Sequence, residues 1–263
     1  MGFERSRRIA GALFEVASSS STNTELSARA DREGMGDLTV MLTRYQSAGR
    51  GRLGRAWTAP PGAAVAASVL LRPRLPDGTV PGPERLGWLP VIAGIAMSAA
   101  MRTVLPGRAV GFKWPNDVLV DGRKICGILT ELLPGGTGVI IGSGFNTRMT
   151  AEELPVPTAT SLAVEGVAVD DAVEDAVLAA YLEGLRERLV RFFAAGADAE
   201  ASGIRAEARA ACLTLARTVH IELPGGERLD ATAIDLDADG RLVVADRDGL
   251  ARSVAAGDVT HVR

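Results

Sequence analysis

Two lysines and a few side-chain amides are the residues of this chain that point most directly to chemistry. Lys113 and Lys124 are the only lysines among 29 basic residues, and Gln46 is the only glutamine. The asparagines are equally few: Asn23, Asn116 and Asn146. All six residues fall in the segments SSTN, YQSAGRGRLGR, KWPNDVLVDGRK and GSGFN. Surface charge tolerates arginine for lysine, whereas a site that needs a compact charge on a flexible stem does not. We therefore predict that these segments form one site, with chance clustering as the alternative.

Lys124 is the best candidate for a cation that acts on a substrate. It follows a predicted turn in GRKICGIL, beside apolar residues that exclude part of the solvent. At about 4 Å and an effective dielectric constant of about 20, its charge stabilises an anion by about 4 kcal/mol. That is enough to matter where a carboxylate must approach a phosphate. The alternatives are a surface lysine after a turn for Lys124 and a charge at a strand edge for Lys113.

The segment GRGRLGR carries Arg50, Arg52 and Arg55 without an acidic neighbour. Residues 49–54 match the spacing G-x-G-x-x-G, but two prolines follow where a dinucleotide site needs a helix, so that interpretation fails. Like charges and glycine entropy predict a loop that stays mobile until an anion binds, such as a nucleotide or an acyl phosphate. A solvated basic loop and an RNA-binding segment are the alternatives.

The surrounding sequence predicts the elements that hold these segments. A capping-box pattern at Thr22 and Glu25 predicts a helix that starts at Thr22 and ends near Glu33, with free N–H groups at its amino end. Asp121-Gly122 is a favoured two-residue turn and predicts a hairpin over 117–132. Other predicted elements are strands at 38–46, 63–73, 110–114 and 137–146, and helices at 84–105, from Asp170 to Gly196, and at 203–214.

The last fifty residues alternate apolar and polar side chains, with turns predicted at Gly225-Gly226, Asp239-Gly240 and Asp248-Gly249. Five short strands at this spacing predict a small β-barrel. We place a domain boundary near residue 214. The predicted architecture is therefore an α/β domain over 1–213 and a β domain over 214–263.

Composition narrows the function classes. A net charge of -3 and a pI near 5.6 argue against a protein that coats nucleic acid. Cys126 and Cys212 are too few for a disulfide framework. No signal peptide is visible, and the apolar run WLPVIAGIAMSAAM is too short for a bilayer. We expect a cytoplasmic protein without membrane association. His220 and His261 lack partners at ligand spacing, so no metal site is expected in the protein itself.

In order and spacing, SSTN, YQSAGRGRLGRAW, KWPNDVLVDGRKICGIL and GSGFN resemble the motif series of biotin protein ligases over about residues 15–148. The resemblance implies a class II synthetase-like mixed sheet flanked by helices, with a small C-terminal SH3-like domain. It also implies an enzyme in which biotin and ATP, with Mg2+ on the ATP phosphates, form biotinyl-5'-AMP. The biotin would then pass to a lysine of a biotin carboxyl carrier domain of an acyl-CoA carboxylase.

The resemblance also implies roles for individual residues. Those for biotin are Ser21, Thr22, Asn23, Gln46, Gly49, Arg50, Gly51, Arg52, Lys124 and Gly127, and those for ATP are Arg52, Arg55, Trp57, Asn116 and Asn146. Lys124 would bridge the biotin carboxylate and the α-phosphate, since a point charge serves two oxyanions in turn better than a planar fork does. With Lys124 and Arg52 we count Asp117 as catalytic, and our hypothesis is that Asp117 orients Arg52 or helps to deprotonate the acceptor lysine.

Two rival functions stay open. A lipoate- or octanoate-attaching ligase resembles the same fold, but its pocket would need fewer amide partners. A non-catalytic biotin sensor or nucleic-acid binder is the rival from another class. Bifunctional relatives carry an N-terminal helix-turn-helix domain, whereas about a dozen residues precede the first segment here. We therefore expect no binding of nucleic acid.

Overall fold

A computed structural model describes residues 2–222, 228–255 and 258–261. Its first half comprises α1 (Glu4–Ile9), β1 (Ala12–Glu15), α2 (Thr22–Ala30), β2 (Thr39–Thr43), β3 (Gly49–Arg50), β4 (Ala56–Trp57), β5 (Ala64–Leu71), α3 (Leu89–Val104), β6 (Val110–Lys113), β7 (Asp117–Val120), β8 (Arg123–Leu132) and β9 (Val139–Asn146). The second half comprises α4 (Asp171–Ala194), α5 (Ile204–Ala211), β10 (Thr218–Glu222), β11 (Arg228–Leu236), β12 (Leu242–Ala245), β13 (Ala251–Val254) and β14 (Asp258–His261).

Seven strands form a mixed sheet in the order β1-β2-β5-β9-β8-β7-β6. β1 pairs with β2 in parallel, and the other neighbours are antiparallel. Helices α3 and α4 cover one face with the main apolar core, and α2 covers the other face through Leu26 and Ala30. Side chains alternate between the two faces of a strand, so β5, β8 and β9 each direct every second residue towards α2.

The predicted elements are confirmed, with small shifts at their ends. Helix α2 begins at Thr22, but its N-cap is Ser21, whose hydroxyl lies 3.5 Å from the amide of Thr24. The expected partner Glu25 instead accepts a hydrogen bond from Ser19. The helix ends at Ala30, three residues before the predicted end, and turns lead from there to Gly34.

Asp170 caps α4 as predicted, by accepting from the amide of Val173 at 2.8 Å. The hairpin between β7 and β8 turns at Asp121 and Gly122, and both residues have a positive φ. A two-residue turn of this kind needs a positive φ at both positions, which explains the Asp-Gly pair. In these two places the local sequence determines the backbone.

The predicted C-terminal β domain is confirmed as a five-stranded antiparallel sheet in the order β13-β12-β11-β10-β14. Gly240 and Gly249 have the positive φ expected of their turns, and the turn predicted at Gly225-Gly226 lies outside the described residues. Over the described part of the chain, one segment, Pro83–Val104, has the length and apolar composition of a membrane span. It is 67% buried inside the protein, as expected of a core helix.

Candidate active site

A cavity of about 170 Å³ opens between the α2 face of the main sheet and the segment that contains β3 and β4. Of the fifteen predicted site residues, the cavity is lined by Ser21, Thr22, Asn23, Gln46, Arg50, Gly51, Arg52, Arg55, Trp57, Asn116, Asp117, Lys124 and Gly127. The structure thus brings together residues from all four segments, and the last of them contributes Gly142, Ser143 and Gly144 in place of its asparagine.

One end of the cavity is lined by neutral hydrogen-bonding groups. The Gln46 side-chain oxygen accepts from the backbone amide of Thr22 at 2.7 Å, and it also lies 3.1 Å from the Thr22 hydroxyl. Ser68 places its hydroxyl 2.6 Å from the side-chain oxygen of Asn23, and the serine must be the donor because an amide oxygen has no proton. These contacts fix the directions in which the two amide side chains offer their remaining donors and acceptors.

The other end is cationic. The Lys124 amine pairs with Asp117 at 2.6 Å, and Arg52 donates to the side-chain oxygen of Asn116 at 3.0 Å. Asn116 in turn donates to the backbone carbonyl of Ile128 at 2.9 Å, which anchors it on β8. The side chain of Lys124 is 42% exposed, so its amine is open to an anion that enters the cavity.

A β-bulge places Lys124 at the cavity. Residues 124 and 127 are three apart and would face opposite sides of a regular strand. The pairing of β7 with β8 shifts register between Val118 and Leu119, so Asp117 pairs with Gly127 while Leu119 pairs with Lys124. The extra residue, Ile125, turns inwards and is fully buried. Lys124, Gly127 and Asp117 consequently share one face of the sheet.

Glycines on this face leave room for the site. A Cβ at Gly142 would lie 2.3 Å from the Asn23 side-chain oxygen, and a Cβ at Gly144 would lie 2.7 Å from the Trp57 indole. A Cβ at Gly127 would lie 3.2 Å from the Lys124 amine. Any residue other than glycine at these positions would fill this space with its side chain. The strand backbone itself therefore forms the floor of the cavity.

The Arg/Gly segment forms a short hairpin, and its mobility in the absence of a ligand stays a prediction. β3 pairs with β4 through Gly49 with Trp57 and Arg50 with Ala56. The Gly51 amide donates to the Arg55 carbonyl at 2.7 Å, which closes the turn between them. The Arg50 guanidinium pairs with Glu131 on β8 at 2.8 Å. The segment therefore has a defined conformation, and ordering by a ligand stays a prediction.

Two predicted residues do not line the cavity. Asn146 is buried and donates to the backbone carbonyl of Thr160 at 2.9 Å, so its amide holds the chain segment beyond β9. Gly49 lies in β3, where a Cβ would be 2.4 Å from the carbonyl of Trp57. Gly49 therefore allows β3 and β4 to approach each other, and it borders the site without facing it.

Sequence reasoning missed three polar residues near the cavity. Glu131 accepts from both Asn23 and Arg50, and Ser68 is fully buried against Asn23. Ser143 lies 2.9 Å from the hydroxyl of Tyr181, and burial raises the pKa of that hydroxyl, which keeps it neutral. Glu131 lies four residues beyond Gly127 on the same face of β8, but nothing local distinguishes either Glu131 or Ser68 as a site residue.

Cys126 is not a candidate nucleophile, although it stands beside Lys124 in the sequence. Its side chain is 1% exposed, on the opposite face of the sheet from the cavity. Burial raises the pKa of the thiol, so it remains protonated and unreactive. Among the described residues, no group of three His, Cys, Asp or Glu side chains is arranged to hold a metal ion.

The C-terminal sheet packs against the segment that carries Asn116 and Asp117. Trp114 donates its backbone amide to the Thr214 hydroxyl at 3.0 Å and its indole N–H to the carbonyl of Gly240 at 3.0 Å. Trp88 donates its indole N–H to the carbonyl of Ala238 at 2.7 Å. Both tryptophans are buried, so the turn between β11 and β12 fixes the start of the cavity segment from behind.

Two sequence families match the chain. Residues 14–146 match the biotin/lipoate A/B protein ligase family, and residues 214–262 match the biotin protein ligase C-terminal domain. The chain is 38% identical to biotin--[acetyl-CoA-carboxylase] ligase of Mycobacterium tuberculosis, over 95% of this chain and 89% of that protein. It is also 38% identical to the bifunctional ligase/repressor BirA of Escherichia coli, over 49% of this chain and 38% of that protein.

A solved structure shows the same fold. The biotin protein ligase from Aquifex aeolicus, in complex with biotin and ATP, superimposes with a TM-score of 0.73. The alignment covers 95% of this chain and 98% of the Aquifex chain at 24% sequence identity. The likeness extends over both the seven-stranded sheet and the C-terminal strands.

Proposed function

The chain belongs to the biotin/lipoate A/B protein ligase family, and we propose that it is an ATP-dependent biotin protein ligase. It forms biotinyl-5'-AMP from biotin and ATP and then transfers biotin to a lysine of a biotin carboxyl carrier protein. The observation that carries this proposal is the division of one cavity into a neutral amide end and a cationic end. Such a cavity can hold a neutral ring at one end while an acid reacts with a phosphate at the other.

The amide end suits the ureido ring of biotin. That ring has two N–H donors and a carbonyl acceptor, so it requires neutral partners of both kinds. Ser21, Thr22, Asn23 and Gln46 provide hydroxyl and amide groups, and the amino end of α2 adds backbone N–H groups. We assign these four residues to the ring, with Gly51 and Gly127 beside the valeryl chain.

The cationic end suits the first step. An oxygen of the biotin carboxylate attacks the α-phosphorus of ATP, the bond to the β-phosphate oxygen breaks, and pyrophosphate leaves. Both reactants are anions, so their approach is costly without nearby positive charge. Lys124 and Arg52 lower that cost by a few kcal/mol, because their charges are already in place when the transition state forms. Arg50 and Arg55 also line the cavity.

We assign Trp57 and Asn116 to the nucleotide, because both line the cavity and Asn116 accepts a hydrogen bond from Arg52. Mg2+ bound with ATP would neutralise part of the negative charge of its phosphates. The cavity offers cations, amides and a single carboxylate that already pairs with Lys124, a set that fits phosphate oxygens. A role for Asn146 and Gly49 towards the ligands remains a prediction.

In the second step, the carrier lysine attacks the acyl carbon, the C–O bond to phosphate breaks, and AMP leaves. The attacking amine must lose a proton. Asp117 is the carboxylate of the cavity lining and pairs with Lys124. We propose that it accepts this proton or holds Lys124 against the acyl phosphate.

We further propose that the acceptors are carrier domains of acyl-CoA carboxylases and that the protein acts in the cytoplasm. The Mycobacterium relative is named for acetyl-CoA carboxylase, which supports this acceptor class. We also retain a boundary near residue 214, with the catalytic domain over 1–213 and the β domain over 214–263. The second family match begins at 214, which supports that division.

The decisive experiment compares biotin with lipoate as the acid. Purified protein is incubated with MgATP and labelled pyrophosphate, and exchange of label into ATP is measured with each acid. We expect exchange with biotin and none with lipoate. When a carrier domain is added, biotin should be transferred to it with release of AMP. Lys124→Ala should lose both exchange and transfer. Exchange driven by lipoate instead would assign the chain to the lipoate branch of the family. No exchange with either acid would reject the ligase assignment.

A further inference from the structure

Glu131 connects two parts of the candidate site that are far apart in the sequence. It lies on β8 four residues beyond Gly127, and it faces α2. One of its carboxylate oxygens accepts from the Asn23 side-chain nitrogen at 2.8 Å and from the Arg50 guanidinium at 2.8 Å. The other oxygen accepts from Arg50 at 2.9 Å. A single carboxylate thus joins the amide end of the cavity to the Arg/Gly segment.

The contact with Asn23 fixes the orientation of its amide. The two N–H groups of Asn23 go to Glu131 and to the backbone carbonyl of Leu129 at 3.2 Å, so its donors are fully used. Its oxygen accepts from Ser68 and lies 2.3 Å from where a Cβ of Gly142 would be, and its second lone pair remains for a ligand in the cavity that Asn23 lines. Asn23 therefore offers an acceptor to a ligand and cannot offer a donor.

The contact with Arg50 restrains the Arg/Gly segment before any ligand binds. Arg50 lies in β3 and is 48% exposed, while Glu131 is 32% exposed. An exposed pair of this kind contributes little to stability. The restraint is therefore weak enough for an incoming anion to compete for Arg50, yet it is sufficient to bias the segment towards the cavity.

We propose that Glu131 is a positioning residue that sets Asn23 as an acceptor for a ring N–H of the substrate and holds Arg50 over the cavity. This inference rests on the proposed function for the identity of the substrate, which is biotin. Glu131 itself does not line the main cavity, so it acts through its two neighbours. Loss of the carboxylate allows the Asn23 amide to turn and removes the anchor of Arg50.

Two variants separate the effects. Glu131→Gln retains an oxygen that accepts from Asn23 and removes the negative charge, whereas Glu131→Ala removes both. Glu183→Ala is the matched control, because Glu183 is exposed on α4 and outside the cavity lining. KM for biotin, KM for ATP and kcat are measured by pyrophosphate exchange. Limited proteolysis of the ligand-free proteins measures cleavage within residues 49–57, and thermal unfolding confirms that the variants are folded.

We expect Glu131→Ala to raise KM for biotin about tenfold, the loss of one hydrogen bond, with KM for ATP within twofold. Glu131→Gln should stay within about threefold of the wild type for biotin, and both variants should be cleaved about threefold faster. Equal KM values for biotin in the Ala variant and the wild type, or an equal rise in the Gln and Ala variants, would overturn the positioning of Asn23. Cleavage at the wild-type rate in both variants would overturn the restraint of Arg50. If wild-type protein shows no exchange with biotin, the proposed function fails, and proteolysis still tests the restraint because it needs no activity.

Discussion

The amine of Lys124 lies 2.6 Å from a carboxylate oxygen of Asp117, and the two residues face one cavity from neighbouring strands. Lys124 thus meets the cavity through a side chain that is already oriented. The pair explains why this position requires a lysine. An arginine here would form two hydrogen bonds to the Asp117 carboxylate and leave less of its charge for a substrate.

Substitution of Lys124 should therefore affect the first half-reaction. We expect Lys124→Arg to reduce biotin-dependent pyrophosphate exchange by about 100-fold, because a fixed charge at a developing anion is worth that much. Exchange under saturating substrates and single-turnover formation of biotinyl-5'-AMP measure the effect. The matched control is Lys113→Arg, which makes the same change at the other lysine, outside the cavity lining. Equal activity of the two arginine variants would contradict the role of Lys124.

Asp117 is best tested in the second half-reaction. With isolated biotinyl-5'-AMP and a carrier domain, Asp117→Ala should transfer biotin about 100-fold more slowly, because the amine loses its proton acceptor or Lys124 loses its orientation. Asp117→Asn distinguishes these causes, since it retains hydrogen bonding to Lys124 without accepting a proton. Unchanged transfer in Asp117→Ala would remove this residue from the mechanism.

The Arg/Gly segment should become more ordered when both substrates bind. Its three arginines can pair with an anion, and Arg50 is held at present by one exposed carboxylate. We expect residues 49–57 to be cleaved by trypsin about tenfold more slowly with biotin and MgATP than without them. Cleavage after Arg74, which is exposed and outside the cavity, serves as the internal reference. Equal protection at both places would point to inhibition of the protease.

Gly142→Ala should weaken biotin binding through a steric effect. A Cβ at this position would meet the Asn23 oxygen at 2.3 Å, and Asn23 is held by Ser68, Leu129 and Glu131. Because Asn23 cannot move without breaking these contacts, KM for biotin should rise at least about tenfold, with a loss of about 1–3 kcal/mol in the free energy of unfolding. Gly36→Ala is the control, since nothing lies within 4 Å of its Cβ. A wild-type KM in Gly142→Ala would exclude Asn23 from the biotin site.

The sequence predicts most of the scaffold because local patterns determine it. The Asp121-Gly122 turn and the Asp170 cap depend on neighbouring residues, and both are confirmed. Rare lysines and amides indicate the four segments, and the resemblance to biotin protein ligases names the individual cavity residues. Ser68 and Glu131 could not be identified from the sequence, because they contact Asn23 across 45 and 108 residues of the chain. No local pattern encodes contacts over such separations.

The placement of individual side chains also depends on tertiary structure that no local pattern encodes. The bulge at Ile125 changes which face of β8 each residue occupies, and bulges leave little trace in an alternating pattern. Asn146 is assigned to the nucleotide by the family resemblance, whereas the fold directs its amide to the carbonyl of Thr160, so its role towards a ligand stays a prediction. Composition therefore indicates that a residue matters, and only the tertiary structure indicates for what.

The contact between the C-terminal sheet and the cavity segment should depend on pH through His261. Its ring nitrogen lies 3.1 Å from the Thr214 hydroxyl, which also accepts the backbone amide of Trp114. The direction of this contact depends on the tautomer of the ring: an unprotonated ring nitrogen accepts from the hydroxyl, and a ring N–H donates to its second lone pair. Burial, with the nearby charges of Lys113 and Arg217, lowers the pKa of His261 to about 4.

The direction of this pH effect on stability follows from proton linkage. The unfolded histidine takes up a proton near its ordinary pKa of about 6.5, while the folded one does so only near 4, so unfolding binds a proton between these values. The contribution of His261 to stability is therefore intact above about pH 6.5 and falls as the pH drops towards 4. Allowing for partial exposure, we expect a loss on the order of 1 kcal/mol between pH 6.5 and 5 that is absent in His261→Gln, whose side-chain amide still hydrogen-bonds to Thr214. Denaturant unfolding of both proteins at each pH measures the difference. Parallel stability curves for the two proteins would show that His261 does not couple the C-terminal sheet to pH.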